Sequence, residues 1–120
     1  MNPFHFEAQP LVPKDDHSVI VPAGISGKAE LFTFLARAIP LPEYFGHNWD
    51  ALEECLNDLD WLDRPAIALI HHDVPLEGNP TEQRTYLEIL AGVAQDTDRL
   101  QVVFPGDCRS QIARILSLPG

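Results

Sequence analysis

The sequence predicts a two-layer α/β domain, a three-stranded parallel sheet with helices packed on it. Three observations carry that reading. Three short apolar or β-branched runs, Ser18–Val21, Ala66–Ile70 and Leu100–Phe104, have the length of strands. The stretches between them place apolar residues three and four apart, the helical period. Strands separated by helices pair in parallel through right-handed crossovers. A length of 120 residues suits one domain. Its 45% hydrophobic and 22% charged residues suit a globular chain with a core, not a low-complexity segment.

Taken in order, residues 1–16 hold Pro3, Pro10 and Pro13 and no helical period. They are expected to form an irregular arm that contributes little to function. They show neither a basic n-region nor an apolar h-region, so no secretory leader is expected. The domain proper is expected over residues 17–105. Its first strand, Ser18–Val21, is closed by Pro22 and Gly24. A helix follows Ser26-Gly27, with Leu31, Phe34, Leu35 and Ala38 on one face, and Pro40 and Pro42 end it. Glu43 to His47 is read as a loop turning at Gly46, and Asn48 as the N-cap of a second helix. In that helix Trp49, Leu52, Leu56 and Leu59 make the buried stripe, and Asp50, Glu53, Glu54 and Asn57 face outward.

Ala66–Ile70 is continuously apolar, the pattern of a strand covered on both faces. His71 and His72 follow, read as a strand end with solvent-facing rings. Pro80 suits the first turn of a third helix, whose apolar face holds Tyr86, Leu87, Leu90, Val93 and Ala94. The last strand stops at Pro105-Gly106, and residues 106–120 are expected to be an extension with a short docked helix through Ile112, Ile115 and Leu116.

The charge is −10, from 18 acidic and 8 basic residues. Glu43, Asp50, Glu53, Glu54, Asp58, Asp60 and Asp63 lie within a stretch that has no Lys or Arg. The remaining chain, with 11 acids and 8 bases, is nearly balanced. Such a protein is repelled by nucleic acid and anionic lipid, and suits a cationic partner. Like charges three and four apart on a helix repel by a few tenths of a kcal/mol per pair, roughly, so an acidic face of this kind costs stability rather than supplying it. A solvated acidic face is the bland alternative.

His47 with Asp50 and Glu54, and His71-His72-Asp73, have metal-ligand chemistry. Neighbours on an extended strand point apart, however, which keeps His71 and His72 from sharing an ion easily. The chain has no H-E-x-x-H, G-x-S-x-G or P-loop motif. Cys55 and Cys108 are too few for a disulfide framework and are expected to be reduced thiols.

The stretch Leu41-Pro42-Glu43-Tyr44-Phe45-Gly46-His47-Asn48-Trp49-Asp50-Ala51-Leu52, followed by Glu53-Glu54-Cys55-Leu56, resembles the barstar family. The shared pattern is L-P-x-Y-[YF]-G-x-N-x-D-A-L followed by an acid, Cys and Leu. The order of strands and helices agrees from about Ser18 to Phe104. The family's type member inhibits the ribonuclease barnase by placing an aromatic loop and its second helix in the nuclease active site. On that resemblance Tyr44 matches the loop tyrosine, and Gly46 and Asn48 match the turn into the helix. Asp50 matches an acid near the helix start, and Glu54 stands where the inhibitor has its most important aspartate. Glu53 stands where the inhibitor has a tryptophan, and Gly92 where a later helix supplies a glutamate. The loop after the second helix, from Asn57, is about two residues longer than the family's.

The expectation is therefore a barstar-like, non-catalytic bacterial inhibitor of the immunity or antitoxin type, acting in the cytoplasm as a monomer. Its partner is a basic ribonuclease or similar toxin, and the alternative is a module of the same fold that binds a different basic target, such as a non-ribonuclease toxin. The expected partner-binding residues are Tyr44, Phe45, Gly46, His47, Asn48, Asp50, Glu53, Glu54, Asn57, Asp58 and Trp61. No catalytic residue, metal, cofactor, nucleic acid or membrane is expected to take part.

Overall fold

The structure is a computed structural model, and it describes residues 4–7, 17–39, 41, 48–58, 66–97 and 99–116. Its elements are β1 (Phe4–Glu7), β2 (His17–Val21), α1 (Lys28–Ala38), α2 (Trp49–Asp58), β3 (Ile67–His71), α3 (Pro80–Asp96), β4 (Leu100–Pro105), a 3-10 turn (Gly106–Cys108) and α4 (Arg109–Leu116). The parallel sheet has four strands in the order β1-β4-β3-β2. This corrects the expected count of three. The added strand lies within the first 16 residues, where an irregular arm was expected. Phe4 pairs with Val102 and Phe6 with Phe104. Phe4 is buried and meets Phe104 edge-on at 5.2 Å, so β1 extends both the sheet and the core.

Strand alternation sorts the side chains onto two faces. Val19, Leu69, Val102 and Phe4 lie in one cross-strand row and join the main core. All four helices add to that core, among them Leu31 and Phe32 of α1, Leu52 and Leu56 of α2, Leu87 and Leu90 of α3, and Ile112 of α4. On the opposite face Ala68, Ile70 and Val103 form a second buried cluster. The whole of β3 is buried, as its unbroken apolar run predicts.

Two details depart from the sequence reading. In α1 the buried aromatic is Phe32, and Phe34 is only half-buried. At the end of β3, His71 is not solvent-facing. It is buried at 1% exposure, while His72 is exposed. His71 falls on the same face as Ile67 and Leu69, which points it into the core.

The loop from β3 to α3 closes back onto the start of α1. The Leu76 N–H donates to the Ile25 carbonyl at 2.8 Å, and the Asn79 side-chain amide donates to the Ser26 carbonyl at 2.6 Å. Gly78, at φ +96°, makes the left-handed turn before Pro80 opens α3. No helix among the described residues is long and apolar enough to cross a membrane.

Candidate interaction face on the second helix

Helix α2 is amphipathic: of the stripe its spacing predicts, Leu52 and Leu56 are buried, Trp49 is half-buried, and Leu59 lies outside the described residues. Ala51, Leu52, Cys55 and Leu56 are buried, and Asp50, Glu53, Glu54, Asn57 and Asp58 are exposed. Its start is set by Asn48, whose side-chain oxygen accepts the Ala51 N–H at 2.8 Å, while the Asn48 carbonyl accepts the Leu52 N–H at 3.0 Å. The side-chain bond satisfies one of the amides that a helix end leaves without a helical partner. Asn48 is thus the cap that the sequence predicts.

The exposed residues follow i, i+3, i+4, i+7 and i+8 from Asp50, so they form one continuous strip. Among the described residues they line a shallow, widely open groove of about 470 Å³. The ion pairs Lys28–Glu82 and Arg84–Glu88 join residues of α1 and α3 and include none of the strip's side chains. Only Asp50 sits in the first turn, where the positive end of the helix dipole favours a carboxylate. The strip is therefore a row of acids held on a well-packed helix, an arrangement that can accept charge-assisted hydrogen bonds from Arg, Lys or protonated His. Of the expected binding residues, Tyr44, Phe45, Gly46, His47 and Trp61 lie outside the described residues.

Behind the strip, Trp49 is half-buried and anchored. Its ring meets Phe32 edge-on at 4.8 Å and tilts toward Tyr86 at 6.2 Å. Its indole N–H donates to Glu82 at 2.6 Å. The sequence places Trp49 on the buried stripe, but its partner on α3, 33 residues away, has no sequence signal.

Tyr86 continues the contact inward. Its hydroxyl lies 2.7 Å from Nε2 of His71, and Nδ1 of His71 lies 3.0 Å from the Val103 carbonyl. The His71 ring stacks on Phe104 at 4.1 Å. Burial holds the imidazole at a pKa of about 4, and the same burial pushes the Tyr86 phenol up. Cys108 is pushed up as well, by burial and then by the nearby Asp107, Asp73 and Glu77. That makes it a poor nucleophile. Among the described residues, no three His, Cys, Asp or Glu side chains converge as a metal site.

A search of curated proteins finds no match. The sequence pattern of one family does match, over residues 18–105, from the second residue of β2 through the end of β4 and including all of α2. With most of its length covered by that match, the chain belongs to the Barstar (barnase inhibitor) family.

Proposed function

We propose that this protein is a non-catalytic inhibitor that blocks the active site of a basic ribonuclease by occlusion. The observation that carries the proposal is the strip of Asp50, Glu53, Glu54 and Asp58 along one exposed face of α2, inside the region that matches the family. A ribonuclease site holds phosphates with Arg, Lys and His. Carboxylates on a rigid helix take the place of those phosphates, bidentate where Arg is available. Asp50 and Glu54 form the charged centre of the interface. Asn48 sets their position, and Glu53, Asn57 and Asp58 flank them. On the resemblance to the family, Tyr44, Phe45, Gly46, His47 and Trp61 complete the surface with aromatic and loop contacts.

The repulsion among these acids supports the reading. The acidic strip runs against the stability of α2, and a cationic partner removes that repulsion. The test is a stoichiometric titration of this protein into a barnase-family ribonuclease acting on RNA. Inhibition that saturates at one protein per nuclease is expected, with large loss in Asp50→Ala and Glu54→Ala. If the nuclease is unaffected, affinity capture against other basic toxins distinguishes a module of the same fold with a different target.

A further inference from the structure

We infer that Glu82 is a positioning residue for the acidic strip of α2, acting through Trp49. The inference rests on the reading of that strip as the binding surface. Glu82 stands in the first turn of α3 and is not part of the groove lining. Its Oε2 accepts the Trp49 indole N–H at 2.6 Å, and its Oε1 lies 3.7 Å from Lys28 Nζ on α1. One carboxylate therefore ties three helices together. The contact to Lys28 is a long pair between half-exposed or exposed side chains and adds little. The bond to the indole is short and charge-assisted, the stronger kind.

Trp49 is the first residue of α2 and the direct neighbour of Asp50. Its ring packs against both Phe32 and Tyr86, so the aromatic body resists sliding. Those contacts are apolar and tolerate rotation of the indole in its plane. The bond to Glu82 is directional and fixes that remaining freedom. Each helical residue turns the chain by about 100°, so a small rotation of α2 re-aims every carboxylate in the strip. Asn48 caps the backbone, and Glu82 sets the rotation through the side chain that follows it. The cost of holding acids in a row is thus offset by an acid outside the row.

Glu82→Leu, Glu82→Gln, Trp49→Phe and the double variant Glu82→Leu/Trp49→Phe test this, with amide hydrogen exchange read residue by residue on the free protein. Glu82→Leu should speed exchange at Ala51 and Leu52 by roughly tenfold, the scale of one hydrogen bond to a charged group. Amides of β3 and β4 should change far less. Glu82→Gln keeps an acceptor without the charge and should fall between the parent and Glu82→Leu. Trp49→Phe keeps an aromatic ring but removes the donor, and should match Glu82→Leu. The double variant should be no worse than either single one. A uniform rise in exchange throughout the sheet and helices, or full additivity in the double variant, would overturn the proposal, as would unchanged exchange in α2. A second arm measures binding to a barnase-family ribonuclease. There Glu82→Leu should weaken affinity about tenfold, and Glu82→Gln should recover part of that loss. A parent protein that ignores this nuclease would count against the inhibitor reading, while the exchange data still decide the role of Glu82.

Discussion

The Tyr86 hydroxyl lies 2.7 Å from Nε2 of His71, and the partner of the other ring nitrogen assigns the proton between them to Tyr86. The Val103 carbonyl can only accept, so Nδ1 of His71 carries the ring proton. His71 is then neutral with both nitrogens satisfied. A second proton on Nε2 would oppose the Tyr86 donor inside the core, which agrees with the lowered pKa of about 4.

From this follows a pH dependence of stability. Between the ordinary value of 6.5 and the folded value of about 4, the unfolded chain takes up a proton that the folded chain refuses. The contribution of neutral His71 is fully present above pH 6.5 and is lost as the pH falls toward 4, by roughly 3 kcal/mol in all. Urea midpoints of the parent should fall across this window more steeply than those of a His71→Phe/Tyr86→Phe variant. Parallel curves would show that His71 does not carry the effect.

A second expectation concerns the N-terminal strand. Phe4 is buried at 4% exposure, β1 pairs along β4, and Arg109 at the start of α4 lies over the Phe6 ring at 5.0 Å. Phe4→Ala should therefore destabilise the fold by about 3–5 kcal/mol, read from urea denaturation. Removal of residues 1–7 should cost at least as much. A truncated protein as stable as the parent would show that β1 adds nothing to the fold.

Asn48→Ala should lower stability by about 1 kcal/mol through loss of the cap on Ala51. Asn48→Asp should keep the cap and add a charge that the helix dipole favours. Thermal denaturation ranks the three proteins, with the alanine variant lowest. Equal melting of alanine variant and parent would mean that the packing of Trp49 alone holds the helix start.

The parts of the fold legible in the sequence are those with a local signal. Strand β3 announces itself as an apolar run, α3 by Pro80 and its apolar period, and α2 by Asn48 and its alternating stripes. Strand β1 has only Phe4-His5-Phe6-Glu7, four residues of alternation between prolines, and draws its stability from β4 at the far end of the sequence. His71 did carry a readable signal, because period-two alternation places it with Ile67 and Leu69. Its position next to His72 at a strand end obscured that. Phe32 and Phe34 fit two adjoining faces of α1, and the choice between them is made by Trp49, which packs on Phe32. The acidic strip was legible because helical period and cap lie within one short segment. Glu82, on a different helix, became visible only through packing.

The most direct measure of the central claim is the salt dependence of association with a barnase-family ribonuclease, by stopped flow. A focused row of acids steers a basic partner before contact, and its reach shortens from about 30 Å at 0.01 M salt to about 10 Å at 0.1 M. Association should therefore start well above an unsteered rate of about 10⁵–10⁶ M⁻¹s⁻¹ and fall steeply with salt, while dissociation changes little. Asp58→Asn should flatten that fall with almost no effect on dissociation. Glu54→Ala should instead speed dissociation, at a cost of about 2–5 kcal/mol in affinity, a range set in part by the barnase–barstar complex itself. An association rate indifferent to salt, with Glu54→Ala dissociating like the parent, would contradict the account and leave α2 as a solvated acidic helix.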